Sequence, residues 1–183
     1  MIVLASRSPR RAELLRSAGF DFIVRPVDID ETPGPGEAAL EVACRLAEEK
    51  NLAVQAGPDE IVLAADTVVV LGSEIMGKPA DAADARRMLT ALSGRKHEVI
   101  TAISLRSGAR IINDSESSSV WFSPLSEAEI ESYVASGEPM DKAGSYGIQG
   151  IASRYIDRID GSYTNVVGLP VSMVYRRLAE LVA

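Results

Sequence analysis

Hydrophobic and polar positions follow two different periods along this chain, and the two periods predict different elements. Apolar runs typical of strands lie at about 1–5, 20–24, 61–71, 96–106, 110–122 and 154–158. Apolar residues at helical spacing predict helices at about 9–18, 37–55, 82–93, 127–136 and 170–182. Because strands alternate with helices and Gly108 separates two long strands as in a hairpin, we expect an α/β or α+β chain with a mixed sheet.

The predicted helix ends carry residues that favour capping. Ser8 is a suitable N-cap and is followed by Pro9, which fits the first turn of a helix. Ser126 and Glu129 have the spacing of a capping box, in which each side chain bonds the backbone of the other residue. Gly19 suits the left-handed position that follows the end of a helix. These residues predict where the first and fourth helices begin and where the first one ends.

Composition and charge narrow the classes of function. A length of 183 residues favours one domain over 1–183, and 46% hydrophobic with 25% charged residues is typical of a globular chain. The formal net charge of −7 argues against nucleic acid and anionic membranes as partners, because a negative field repels polyanions. Cys44 is the only cysteine, so no intrachain disulfide or cysteine zinc cluster is possible. Since the apolar start is too short for a signal peptide and no stretch is long enough to cross a membrane, we expect a cytoplasmic chain.

Two arginines stand at the start of the first predicted helix. Arg10 and Arg11 follow the Ser8-Pro9 cap, at a position where the helix dipole disfavours cations. Free backbone N–H groups and two guanidinium groups in one turn form a suitable place for a phosphate. The alternative is a solvated basic turn whose charges are tolerated at small cost, and we favour the phosphate hypothesis.

An acidic residue interrupts the most apolar of the predicted strands. Asp66 lies inside the run 61–71 and is expected to be buried, where an unpaired charge costs on the order of several kcal/mol. A cation, a metal ion or protonation must therefore compensate Asp66, and this points to function. The alternative is a structural carboxylate that accepts backbone N–H bonds near a bulge.

A lysine interrupts the apolar face of the long second helix. The stripe of this helix consists of Leu40, Ala43, Leu46 and Ala47 and continues through Lys50 to Val54. Lys50 either lies inward or extends its ammonium group to solvent, and the sequence alone favours neither.

The segment Gly72-Ser73-Glu74-Ile75-Met76-Gly77-Lys78-Pro79 begins like a phosphate-binding P-loop. Pro79 stands where the motif needs the serine or threonine that binds magnesium, and the next helix begins only after Asp81. We therefore reject a P-loop and predict a hairpin strand at Ile75-Met76. Lys78 remains a candidate phosphate contact in its own right.

Two loops contain further candidate residues. Asp28, Asp30 and Glu31 form an acidic run, which the residues alone favour as a solvated loop. The loop 141–150 contains three glycines, a charged pair and Gln149, which suits close approach of the backbone to a ligand. The same glycines are also typical of structural turns.

Seven segments form a pattern that extends from the first helix to the last one. They are Ser6-Arg7-Ser8-Pro9-Arg10-Arg11, Asp28-Ile29-Asp30-Glu31, Ala65-Asp66-Thr67-Val68-Val69, Gly77-Lys78-Pro79, Leu92-Ser93-Gly94-Arg95, Asp141-Lys142-Ala143-Gly144-Ser145-Tyr146-Gly147-Ile148-Gln149-Gly150 and Asn165-Val166-Val167-Gly168-Leu169-Pro170. Together they resemble the Maf family of nucleoside triphosphate pyrophosphatases. The form of the sixth segment is similar to the branch that hydrolyses dTTP and UTP.

The resemblance implies a fold, a reaction and partners. The implied fold is α/β and related to the inosine triphosphatase type, with an elongated mixed sheet and a cleft between two lobes, in a single Maf-like domain. The implied reaction converts a nucleoside triphosphate such as dTTP or UTP and water into the monophosphate and pyrophosphate, assisted by Mg²⁺ or Mn²⁺. A homodimer is expected, without nucleic acid or membrane as a partner.

The resemblance also implies a role for individual residues. Asp66 is the expected proton acceptor, and Glu31 is expected to share the metal ion with Asp66. The positions that match specificity residues are Arg11, Thr67 and Gln149. The positions that match other active-site residues are Ser6, Arg10, Glu31, Lys50 and Lys78, with Lys78 and Glu31 taken as catalytic. The alternative is a nucleotide-binding regulator of cell division and septum formation, but two acids beside phosphates favour an enzyme.

Overall fold

The structure is a computed structural model that describes residues 1–182. Contacts within the chain divide it into two compact units. Unit 1 consists of Met1–Thr67, Thr101–Glu116 and the residues from Gly168 onward. Unit 2 consists of Val68–Ile100 and Ser117–Val167.

The strands form one seven-stranded sheet. They are β1 (Ile2–Leu4), β2 (Phe22–Val24), β3 (Ile61–Leu71), β4 (Glu74–Met76), β5 (Lys96–Ser107), β6 (Arg110–Phe122) and β7 (Ile156–Asp160). The order is β2-β1-β3-β5-β6-β7, and β4 pairs with β3. Strand β1 is parallel to β2 and β3, whereas β4 is antiparallel to β3 and β7 is antiparallel to β6. The sheet is therefore mixed, which confirms the predicted α/β class.

Six α-helices accompany the sheet in the described chain. They are α1 (Pro9–Ser17), α2 (Ala39–Ala53), α3 (Ala82–Leu92), α4 (Glu127–Ala135), α5 (Tyr163–Val167) and α6 (Val171–Val182). Short 3-10 turns lie at Glu138–Asp141, Ala143–Ser145 and Ile151–Tyr155. The predicted caps are present, since Ser8 and Ser126 accept the N–H groups of Arg11 and Glu129. None of the helices described in residues 1–182 is long and apolar enough to cross a membrane.

Unit 1 buries both faces of its sheet, which explains why β3 is apolar almost throughout. Parallel strands covered on both sides have continuous apolar runs and not alternating ones. One face packs Leu4, Leu15, Leu63, Ala65, Ile103, Leu105, Leu169, Met173, Val174, Leu178 and Leu181. The other face packs Val3, Ala5, Val54, Val62 and Ala64. Successive residues of β3 therefore alternate between the two faces. Asp66 lies on the same face as Val62 and Ala64, and Thr67 lies on the opposite face.

One part of the predicted stripe on α2 is wrong. Leu40 is 47% exposed, whereas Val42 is buried in its place with Ala43 and Leu46. Because α2 begins at Ala39, Leu40 lies in its first turn and not along the packed length of the helix.

Unit 2 has a core of its own. The predicted stripe of α3 is buried, and α4 contributes three further side chains. The buried residues of this core are Val69, Leu71, Met76, Ala85, Met88, Leu89, Leu92, Val99, Val120, Phe122, Ile130, Tyr133, Val134, Tyr146, Ala152 and Tyr155. This core supports the segments that carry Lys78 and Gln149, which follow β4 and the second 3-10 turn.

Gly144 joins two of these segments and cannot carry a side chain. Its N–H donates to the carbonyl oxygen of Gly77 at 3.0 Å, its φ is +67°, and a Cβ would lie 2.9 Å from Val69. Gly144→Ala is therefore expected to lower the free energy of unfolding by about 3 kcal/mol, from overpacking and left-handed strain together. Gly137→Ala is the control, because its φ is +75° but nothing lies within 4 Å of its Cβ. Urea unfolding of both variants tests this, and equal losses would contradict the role of the close contact.

Candidate active site

Asp66 and Lys50 form a buried ion pair. Asp66 lies in the middle of β3 and Lys50 in the last turn of α2, and each residue is 8% exposed. The Lys50 ammonium donates to Oδ1 of Asp66 at 2.6 Å. Lys50 therefore lies inward, and the cation that the buried Asp66 requires is a lysine.

The residue after Lys50 fixes the end of α2 against the sheet. The side-chain amide of Asn51 donates to the carbonyl oxygens of Val62 at 3.2 Å and Ser104 at 2.8 Å. Arg106 donates to Oδ1 of Asn51 at 2.8 Å. These buried bonds hold the last turn of α2 in one position, so that the Lys50 ammonium is directed at β3 by the helix itself.

Glu31 approaches the same lysine from the loop after β2. Its Oε1 lies 2.6 Å from the Lys50 ammonium, although the Glu31 side chain is 46% exposed. Arg45 holds this loop, because its guanidinium donates to both oxygens of Glu37 at 2.7 and 2.8 Å and to the carbonyl oxygen of Thr32 at 3.3 Å. The hydrogen bonds from Arg45 lower the pKa of Glu37 to about 2. Glu31 is thus exposed, as expected for a solvated loop, but its carboxylate is also paired with Lys50 of α2, a partner distant in sequence.

The environment of Asp66 raises its affinity for a proton, although two neighbouring cations oppose this effect. Burial raises the pKa of Asp66, and the positive charges of Lys50 and Arg11 oppose this shift. The Glu31 carboxylate adds to the rise. A carboxylate of this kind is a stronger base than an exposed aspartate, while Lys50 favours its ionised form.

Arg11 is fixed by three neutral acceptors. Its guanidinium donates to the carbonyl oxygen of Gly168 at 2.8 Å, to Oγ1 of Thr67 at 3.0 Å and to Oγ of Ser6 at 3.2 Å. Thr67 Oγ1 in turn lies 2.9 Å from Oγ1 of Thr101. Neutral acceptors orient the guanidinium without cancelling its charge. A solvated turn is therefore the wrong interpretation for Arg11.

The N-terminus of α1 lies beside Arg11. Oγ of Ser6 accepts the backbone N–H of Ser8 at 3.2 Å as well as the Arg11 bond, so it is a shared acceptor at this helix end. Arg10 is half-buried in the same turn. Backbone N–H groups and guanidinium groups at one helix N-terminus are suited to binding phosphate oxygens.

Two predicted site residues belong to unit 2. Lys78 is exposed and directly follows Gly77, whose carbonyl oxygen accepts the N–H of Gly144. Gln149 is exposed in the loop that follows Gly147. The hairpin strand β4 is present at Glu74–Met76, which confirms that this segment is not a P-loop.

The nine predicted site residues are thus divided between the units. Unit 1 contains Ser6, Arg10, Arg11, Glu31, Lys50, Asp66 and Thr67. Lys78 and Gln149 belong to unit 2. The carbonyl group of Gly168 was not predicted as part of the site; the available signal was the glycine itself before Leu169-Pro170, and the structure shows it at a φ of +122°.

The two carboxylates fit a divalent cation. Oε1 of Glu31 and Oδ1 of Asp66 both face the single ammonium of Lys50, so they converge on one positive charge. Within residues 1–182, no group of three or more His, Cys, Asp or Glu is arranged to hold a metal ion. Mg²⁺ is usually bound by one or two carboxylates together with substrate phosphates and water, and Glu31 and Asp66 place two carboxylates near each other.

Comparison with known proteins gives a consistent result. The model of the family described as Maf-like protein matches residues 1–181. A protein of Geobacter metallireducens named dTTP/UTP pyrophosphatase is 53% identical over 183 residues, covering 98% of this chain and 95% of that protein. A protein of Chromobacterium violaceum with the same name is 49% identical over 188 residues, covering 98% of this chain and 93% of that protein.

Solved structures share the fold at low sequence identity. The Ham1 protein of Staphylococcus aureus matches with a TM-score of 0.55 and 15% identity over 98% of both chains. A HAM1 protein of Coxiella burnetii matches with a TM-score of 0.53 and 20% identity over 98% of both chains. These likenesses support the fold predicted for this chain.

Proposed function

The chain belongs to the family of Maf-like proteins, and from that premise we propose that it hydrolyses dTTP and UTP to the monophosphate and pyrophosphate. The relatives that are about half identical over nearly the whole chain carry the name of this activity. The observation in the structure that supports it best is the Lys50 ammonium between the carboxylates of Asp66 and Glu31. A pocket that only binds phosphates has no need of two acids, because carboxylates repel phosphate oxygens.

Asp66 is the proposed proton acceptor. Lys50 holds Oδ1, and Oδ2 takes a proton from the attacking water. The water oxygen forms a bond to the α-phosphorus, and the bond from this phosphorus to the bridging oxygen of the β-phosphate breaks. Pyrophosphate leaves with that electron pair. The raised proton affinity of Asp66 favours the transfer.

The cationic side chains neutralise the triphosphate. Arg11 is oriented by its three neutral acceptors, and we assign it with Arg10 and the N-terminus of α1 to the phosphate oxygens. We assign Lys78 to the same negatively charged phosphate oxygens. Phosphoryl transfer depends mainly on positioning and on stabilisation of charge spread over oxygens, which fixed cations supply.

Glu31 and Asp66 are the proposed ligands of a divalent cation, Mg²⁺ or Mn²⁺. When bound, this ion adds positive charge at the phosphoryl oxygens. Lys50 holds the carboxylates of Glu31 and Asp66 close together, because its ammonium lies 2.6 Å from an oxygen of each. Arg45 keeps the Glu31 loop in place.

Gln149 is the proposed contact to the base. A side-chain amide offers a donor and an acceptor, which suits the carbonyl groups and N3–H of uracil or thymine. Arg11 and Thr67 complete the proposed specificity residues. We also propose one domain over 1–183, which is supported by the match of one family model to residues 1–181. A homodimer and a cytoplasmic location are further proposals.

The products of dTTP hydrolysis test the proposed activity. With Mg²⁺ or Mn²⁺ we expect dTMP and pyrophosphate in equal amounts, and we expect a chelator to abolish their formation. Separation of the nucleotides by chromatography, with an enzymatic assay for pyrophosphate, measures both products.

Two outcomes would contradict this assignment. Formation of dTDP and orthophosphate would mean that water attacks a different phosphorus. Binding of dTTP by calorimetry without release of pyrophosphate would instead support the alternative, a nucleotide-binding regulator.

A further inference from the structure

The loop that carries Gln149 is tied on both sides of that residue. Gly147 lies two residues before Gln149 and Ile151 two residues after it, and the backbone N–H group of each is hydrogen-bonded. The N–H of Gly147 donates to the hydroxyl of Tyr133 at 3.3 Å. The N–H of Ile151 donates to Oε2 of Glu138 at 3.0 Å.

The two acceptors, Tyr133 and Glu138, are hydrogen-bonded to each other. The hydroxyl of Tyr133 donates to Oε1 of Glu138 at 2.9 Å, so one carboxylate and one phenol bond both ends of the segment 147–151. Burial raises the pKa of Tyr133, and the hydrogen bond to Glu138 raises it further, so the hydroxyl remains a donor. The segment that presents Gln149 thus rests on a single hydrogen-bonded unit.

The loop backbone lies directly against the Glu138 side chain. A Cβ on Gly150 would lie 2.3 Å from Oε1 of Glu138, and a Cβ on Gly147 would lie 2.6 Å from Cε of Lys142. The Lys142 ammonium donates to the carbonyl oxygen of Glu138 at 2.6 Å. The glycines therefore permit a close approach that longer side chains would prevent, and Glu138 is the surface that the loop approaches.

The pair is anchored in the core of unit 2. Tyr133 is 1% exposed on α4, and its ring lies 5.9 Å from the ring of Tyr155. The backbone N–H of Glu138 donates to Oγ of Ser136 at 3.2 Å, which fixes the start of the 3-10 turn. The loop is therefore supported by a phenol buried in the core and by the carboxylate that is hydrogen-bonded to it.

We propose that Glu138 is a positioning residue for base selectivity. Acting through Tyr133 and the loop backbone, its carboxylate holds the Gln149 amide at one place, so that only a base with the matching donors and acceptors is bonded. This inference rests on the proposed function, in which Gln149 contacts the base. Discrimination by hydrogen bonds requires a fixed partner, since a mobile amide can adapt to a wrong base.

The experiment compares kcat/KM for dTTP with kcat/KM for CTP in each variant. This ratio does not depend on the fraction of enzyme that is folded, so loss of stability alone leaves it unchanged. The variants are Glu138→Ala, Glu138→Gln, Tyr133→Phe and Gln149→Ala. Glu131→Ala is the matched control, because Glu131 is an exposed carboxylate of α4 whose partner is Arg86.

We expect Glu138→Ala to lower the ratio by about 10-fold or more, toward the value of Gln149→Ala. Glu138→Gln keeps an acceptor for the Ile151 N–H group, so it should retain a ratio within about 3-fold of the wild-type one. Tyr133→Phe removes the acceptor of the Gly147 N–H group and should lower the ratio as well. Glu131→Ala should leave it unchanged.

The outcomes separate this inference from the activity itself. A normal ratio in Glu138→Ala, together with a collapsed ratio in Gln149→Ala, would overturn the role of Glu138 and leave the pyrophosphatase intact. A normal ratio in Gln149→Ala would overturn the inference as well, because Glu138 acts through that residue. If Glu138→Ala does not fold, Tyr133→Phe decides, and a normal ratio there would overturn the inference. Pyrophosphate release from dTTP by the wild-type protein is the separate test of the activity.

Discussion

Asp66→Asn is expected to lower kcat for dTTP by about 100-fold or more, because the amide cannot take a proton from water. Asparagine has nearly the same shape as aspartate and keeps an oxygen that accepts the Lys50 ammonium, so β3 and α2 should remain packed. Steady-state kinetics gives kcat, and circular dichroism with thermal unfolding checks the fold.

Substrate binding separates a missing base from a damaged site. The Kd of Asp66→Asn for a non-hydrolysable dTTP analogue should stay within a few-fold of the wild-type value. Asp59→Asn, which removes an exposed carboxylate of unit 1, is the matched control and should keep normal turnover. Near-normal turnover in Asp66→Asn would show that another group accepts the proton.

Lys50→Met is expected to lower kcat/KM at neutral pH by about 100-fold and to change its pH dependence. Lys50 lowers the pKa of Asp66 against the effect of burial, so its removal raises that pKa. Asp66 must be ionised to act as a base, and a higher pKa means that ionisation occurs at higher pH. The acidic limb of the pH profile should therefore move to higher pH, and activity should partly return as the pH is raised.

Lys50→Arg is the matched control for charge. It keeps the positive charge beside Asp66 and Glu31, so its acidic limb should stay close to the wild-type position even if its rate is lower. Profiles of kcat/KM for all three proteins at one saturating metal concentration give the comparison. An unchanged limb in Lys50→Met would contradict the electrostatic role of Lys50.

Features set by local sequence were predicted correctly. The run 61–71 is β3, and the box of Ser126 and Glu129 begins α4. The burial of Asp66 followed from its position inside an apolar strand, because the four residues before it alternate between two cores. In each case, the physical cause lies within a few residues of the feature.

Features set by contacts between distant residues were not predictable from the residues alone. Glu31 looks like part of a solvated loop until Lys50, from another element, is placed 2.6 Å away. The inward position of Lys50 likewise depends on a distant partner, because its ammonium bonds Asp66 of β3. The strand β7 begins at Ile156 and not near 154, because Arg154 and Tyr155 belong to the 3-10 turn at Ile151–Tyr155.

The order in which the chain is synthesised matters for Arg11. Its guanidinium is held by Ser6 and Thr67, which are made early, and by the carbonyl oxygen of Gly168, which is made late. The core behind it also needs Leu169 and Val174 from the same late segment. A nascent chain that still lacks this segment on the ribosome cannot complete unit 1, and contacts of such high sequence separation form slowly. The orientation of Arg11 therefore depends on a hydrogen bond between residues 157 positions apart, and it forms only after Ser6, Thr67 and Gly168 have all been synthesised.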